Sequence, residues 1–94
     1  MTVNLDWENL GFSYMKLPYR YITYYRNGQW EEGTLTEDAT LHISESSPSL
    51  HYGQQAFEGL KAYRTKDGSI HLFRPDKNAE RLQLTADRLL MPQV

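Results

Sequence analysis

The sequence predicts a small α+β fold: hairpins of antiparallel strands followed by one C-terminal helix. Three observations carry this expectation. Two turn signals, Asn27-Gly28 and Asp67-Gly68, are each flanked by β-branched and aromatic residues. From Pro75 to about Met91 apolar residues recur at helical spacing, and Pro92 stops the run. With 94 residues the chain has room for one modest core, so 1–94 is read as a single small domain.

The elements follow in order. The segment before Pro18 lacks clear periodicity. Arg20 to Arg26 (Arg-Tyr-Ile-Thr-Tyr-Tyr-Arg) is dense in strand formers, and Asn27-Gly28 then tolerates positive φ at both centres of a type I′ turn. That two-residue loop places Tyr25 opposite Trp30. Tyr14, Tyr19, Tyr21, Tyr24 and Tyr25 crowd this region, as strand formers or as the wall of a pocket. Thr34 to Ile43 reads as a short strand, with Ala39, Leu41 and Ile43 alternating against Thr40 and His42. Ser44 to Ser49 is a polar loop. Phe57–Thr65 and Ser69–Phe73 form the second hairpin, and centring its turn on Asp67-Gly68 pairs Thr65 with Ile70 and Tyr63 with Leu72.

Pro75 suits the first helical position, and Asp76 adds negative charge to the first turn. Ala79, Leu82, Ala86, Leu89 and Leu90 fall within about 100° on a helical wheel, a stripe expected to pack on the sheet. Lys77, Arg81 and Arg88 occupy the opposite face, which is either solvated or the seat of an anion. Leu84 and Met91 sit among them, so that face is also a candidate contact for a partner domain or subunit.

Composition narrows the function. Apolar residues make up 39% and charged residues 23%, which argues against disorder. A net charge of −2 gives no electrostatic footprint for nucleic acid or an anionic membrane. Cys is absent, which removes disulfides, thiol nucleophiles and Cys-ligated zinc. His42, His51 and His71 show no metal-ligand spacing, so no metal is expected, and His51 reads as structural. No apolar run is long enough to span a membrane, and Met1 to Trp7 lacks the pattern of a signal peptide. The cytoplasm is the expected compartment. Phosphate loops, zinc-protease motifs and nucleophile elbows are all missing.

The stretch His51-Tyr-Gly-Gln-Gln-Ala-Phe-Glu-Gly-Leu-Lys-Ala-Tyr-Arg64 adds a further signal. With Leu72-Phe-Arg-Pro-Asp-Lys-Asn-Ala-Glu-Arg-Leu82 downstream and Gly11-Phe-Ser-Tyr-Met15 upstream, it closely resembles the branched-chain amino acid aminotransferases, class IV (fold type IV) pyridoxal-phosphate enzymes. The match runs from about Leu10 to Pro92. It implies the small N-terminal domain of that fold, and transfer of an amino group between leucine, isoleucine or valine and 2-oxoglutarate on pyridoxal 5′-phosphate, in a homodimer. Arg81 matches the arginine that binds the cofactor phosphate. Tyr52 and Phe57 match aromatic positions lining the pocket for the branched side chain, the tyrosine reaching into the partner's site; ordinary core packing is the alternative for both. Phe12 resembles another pocket aromatic, and Gly59 would let backbone approach the ligand.

The resemblance also implies a lysine that holds the cofactor as a Schiff base, in a second, larger domain. Lys16, Lys61, Lys66 and Lys77 match no such position. The expectation is therefore an N-terminal fragment with no catalytic residue of its own. Two alternatives remain: another class IV aminotransferase, and a non-catalytic binding or dimerisation module.

Overall fold

In a computed structural model, which describes residues 4–94, Asn27 and Gly28 both take positive φ, 53° and 79°. The type I′ turn they make joins Tyr25–Arg26 (β2) to Gln29–Trp30 (β3). Tyr25 stands opposite Trp30 as the two-residue loop requires, with the rings edge to face at 5.3 Å. Arg26 lies 4.1 Å above the Tyr24 ring and reaches Glu31 at 3.3 Å.

The same ribbon continues into Arg20–Ile22 (β1) and Thr34–Thr36 (β4), with Tyr21 opposite Leu35. Between the two ladders, Thr23 and Tyr24 face the longer run Glu31, Glu32 and Gly33, so the return strand bulges. The Glu31 N–H donates to the Tyr24 carbonyl at 2.8 Å, and the Thr23 hydroxyl to the Glu31 carbonyl at 2.7 Å. The Tyr21 ring covers Gly33, where a β-carbon would strike it.

The expected strand from Thr34 to Ile43 forms only over Thr34–Thr36, and residues 39–43 join no ladder. The Arg20 guanidinium donates to the carbonyls of Asp38 and Thr40, the latter at 2.7 Å, and takes two acceptors that a ladder would need. The Asp38 side chain accepts the Thr40 N–H at 2.9 Å and meets His42 at 3.1 Å, turning the chain locally.

The chain divides into two compact units, Met1–His42 and Ile43–Val94. The second opens on Pro48–His51 (α1), a single helical turn that overlaps the end of the expected polar loop, with Pro48 in its first turn. Ala62–Arg64 (β5) and Ile70–Leu72 (β6) form the second hairpin. Its register differs by one residue from the expectation: Arg64 pairs with Ile70 and Tyr63 with His71. Only Gly68 takes positive φ, 87°, so the loop is a type I turn with a glycine bulge rather than a two-residue turn. Asp67 selects it by accepting the Thr65 hydroxyl and, at 2.9 Å, the Ser69 N–H. The slip exchanges the faces of the side chains.

Pro75–Arg88 (α2) is the helix. It ends earlier than Met91 because Leu90 takes φ 56°. The Met91 N–H then bonds the Ala86 carbonyl at 2.8 Å and the Leu90 N–H bonds Asp87 at 3.2 Å, which is a Schellman end. The α+β class stands, although the strands form two-stranded pairs among the described residues rather than one sheet. The apolar stripe is sunk only in part: Ala86 is buried, Leu82 and Leu89 half-buried, Ala79 and Leu90 exposed. On the opposite face, Leu84 is exposed and Met91 half-buried.

Candidate functional site

What lies against α2 is an extended strap, residues 54–59. Gln54, Ala56 and Glu58 are half-buried while Gln55, Phe57 and Gly59 are exposed, a period of two that turns alternate side chains inward. Both ends are tied. At one end the Gln54 amide donates to the Leu89 carbonyl at 2.8 Å, satisfying a group the helix end leaves without an intrahelical partner. At the other, Asn78 Nδ2 donates to the Gly59 carbonyl at 2.8 Å and to Glu58 Oε1 at 2.7 Å.

The second tie carries the site's charge. Arg81 Nε donates to Glu58 Oε2 at 2.7 Å and Nη2 donates to Oε1, a side-on bidentate pair. Asn78 and Arg81 share a helix face three residues apart, so both reach the same carboxylate. The Arg81 guanidinium, hydrogen-bonded to both oxygens, holds the Glu58 carboxyl down from the usual 4.5 to about 2. Glu58 raises Arg81 in turn. The Glu58 side chain is 13% exposed and that of Arg81 65%. Lys77, Asn78 and Arg81 line a shallow cavity there, with Lys77 paired to Glu80 at 3.0 Å.

The open edge of Arg81 fits a phosphate group. Its Nη1 hydrogens have no partner among the described residues, and it stands near the start of α2, where the dipole favours an anion, whereas Asn78 Nδ2 is committed to Glu58 and Gly59 and Lys77 to Glu80.

The other residues singled out from the sequence lie elsewhere along the strap or outside it. Tyr52 follows α1 and is 87% exposed; Phe57, on the outward side of the strap, is 88% exposed. Neither is core in this chain. Gly59 stands at the tied end, and a β-carbon there would meet nothing within 4 Å. Phe12 belongs to the first unit and is exposed. Glu58 and Asn78 are the site residues the sequence reading passed over. Their signal was present as the one acid in the alternating strap and an Asn one helical turn before Arg81.

No helix among the described residues is long and apolar enough to cross a membrane. No family model matches the chain. It is 69% identical over 91 residues to a branched-chain-amino-acid aminotransferase of Haemophilus influenzae, covering 97% of the chain and 26% of that protein. A branched-chain-amino-acid aminotransferase of Helicobacter pylori is 58% identical over 91 residues, covering 97% of the chain and 27% of that protein. A methionine aminotransferase of Arabidopsis thaliana is 47% identical over 90 residues, covering 95% and 25%. The chain thus spans about a quarter of the length of the relatives it matches. Identity of 69% and 58% over 97% of its own length makes the chain similar to part of a branched-chain-amino-acid aminotransferase.

Proposed function

We propose that these 94 residues act as the small N-terminal domain of a cytoplasmic, homodimeric aminotransferase. It exchanges the amino group between leucine, isoleucine or valine and 2-oxoglutarate. The observation that carries the reading is the 69% identity over 91 residues to an aminotransferase of that name. Pyridoxal phosphate, when bound, supplies the electron sink for the exchange.

The chain's own share is to bind and to wall. Arg81 directs its open N–H donors at the cofactor phosphate, with the start of α2 beside it. Phe57, Tyr52 and Phe12 are exposed aromatics that suit branched aliphatic side chains, which offer only apolar area, worth about 0.8 kcal/mol per buried methylene. Tyr52 does this in the partner's site of the dimer. Gly59 keeps the strap free of a side chain beside the phosphate donors. The lysine that carries the cofactor belongs to sequence other than these 94 residues, since Lys16, Lys61, Lys66 and Lys77 match no such position.

A chimera tests this: the matching 91 residues of the Haemophilus influenzae relative are exchanged for those of this chain. Glutamate formation from leucine and 2-oxoglutarate is expected at a rate comparable to the unaltered relative, and the 94-residue chain alone is expected to show no turnover above free cofactor. The 47% identity to a methionine aminotransferase favours a second reading, a related aminotransferase acting on methionine. A chimera that used methionine but none of the three branched substrates would establish it. Turnover of neither class would refute both readings.

A further inference from the structure

The geometry points to Glu58 as the positioning residue for Arg81: it grips one edge of the guanidinium and leaves the other aimed, as a two-donor fork, at a phosphate monoester. The inference rests on the reading above, which gives the phosphate to Arg81 and gives Glu58 no role.

A guanidinium carries five N–H donors in one plane. Nε and one hydrogen of Nη2 form its side edge, and Glu58 takes both. The end edge, made by Nη1 and the second hydrogen of Nη2, is untouched among the described residues. That edge matches two oxygens of a phosphate.

Glu58 is the anchored member of the pair. Besides Arg81, its Oε1 accepts from Asn78 Nδ2 at 2.7 Å and from the Gly59 N–H at 3.3 Å. Its side chain is mostly covered while that of Arg81 is mostly exposed. The carboxylate is therefore fixed by the strap and the helix together, and the guanidinium is what it presents. An arginine held this way loses little rotamer freedom when an anion arrives. The carboxylate also offsets part of the positive charge, so orientation must outweigh that loss of attraction. The sign of the effect is measurable.

The test uses the cofactor-stripped full-length chimera, titrated by absorbance with pyridoxal phosphate and with pyridoxal, which has the same ring and no phosphate. The ratio of the two affinities isolates the phosphate. E58Q keeps the shape but removes one acceptor and turns an NH2 toward Arg81. It is expected to lower the ratio about tenfold and leave pyridoxal binding and helix content unchanged. R81A is expected to lower the ratio too, and E58Q/R81A to lose no more than R81A alone.

An unchanged or higher ratio in E58Q, with R81A lowered, overturns the positioning role and leaves the phosphate assignment standing. Additive losses in the double variant overturn it too. An unchanged ratio in R81A overturns the assignment and the inference together. Should E58Q not fold, E58D takes its place, since it keeps charge and both oxygens but falls one methylene short. Its ratio is expected to drop about threefold, and no drop overturns the proposal.

Discussion

Arg81 and Arg88 lie on the same side of α2, and replacing each with alanine should separate them sharply. They are seven positions apart, which at 1.5 Å per residue is about 10 Å along the axis. A phosphate within hydrogen-bond reach of Arg81, about 2.7–2.9 Å, is out of reach of Arg88. Arg88 is also the last residue of α2, where the helix carbonyls repel an anion, whereas Arg81 stands in the second turn from Pro75. In the stripped full-length chimera, Arg81→Ala should weaken pyridoxal-phosphate binding about ten- to a hundredfold, the value of a charge-assisted contact. Arg88 acts only through a field screened over about 8–10 Å, so Arg88→Ala should change affinity by less than about threefold. Absorbance titration of both variants decides it. Equal losses, or a larger one for Arg88, would refute the assignment of the phosphate.

Two further outcomes follow from the strap and the helix end. The Glu58 carboxyl, depressed from 4.5 to about 2 chiefly by its hydrogen bonds from Arg81, contributes stability that is complete above about pH 4.5 and is lost as pH falls through 2. An NMR titration of the Glu58 side chain should find its midpoint near 2, and Arg81→Ala should move it toward 4.5; a midpoint of 4.5 in the unaltered chain would show that the pair does not form in solution. Leu90 is 89% exposed and held at φ 56°, so Leu90→Gly should relieve left-handed strain at little cost in burial. The gain, net of glycine's entropy, is about 0.5–1 kcal/mol, read as a higher melting temperature; a lower one would contradict it.

What the amino-acid order determined by itself are features settled among near neighbours. Asn27-Gly28 admits positive φ at two successive positions, and a two-residue loop leaves one register, Tyr25 against Trp30. Pro75 and the spacing of Leu82, Ala86 and Leu89 likewise specify the start and the inward side of α2, although Ala79 on the same stripe stays exposed. Asp67-Gly68 marks a turn equally well, yet the hydrogen bonds of the Asp67 side chain choose a different turn and shift the ladder by one. Residues 39–43 alternate like a strand, but Arg20 takes the carbonyls of Asp38 and Thr40, 18 and 20 positions away from it. Arg81 stood out through family resemblance alone, because a helical wheel treats it like Arg88. Its grip by Glu58, 23 positions earlier, arises only when the strap lies along the helix. Turn angles and periodicity depend on a few adjacent residues, whereas the pairing of distant donors and acceptors depends on where whole segments dock. That docking is a property of the tertiary structure.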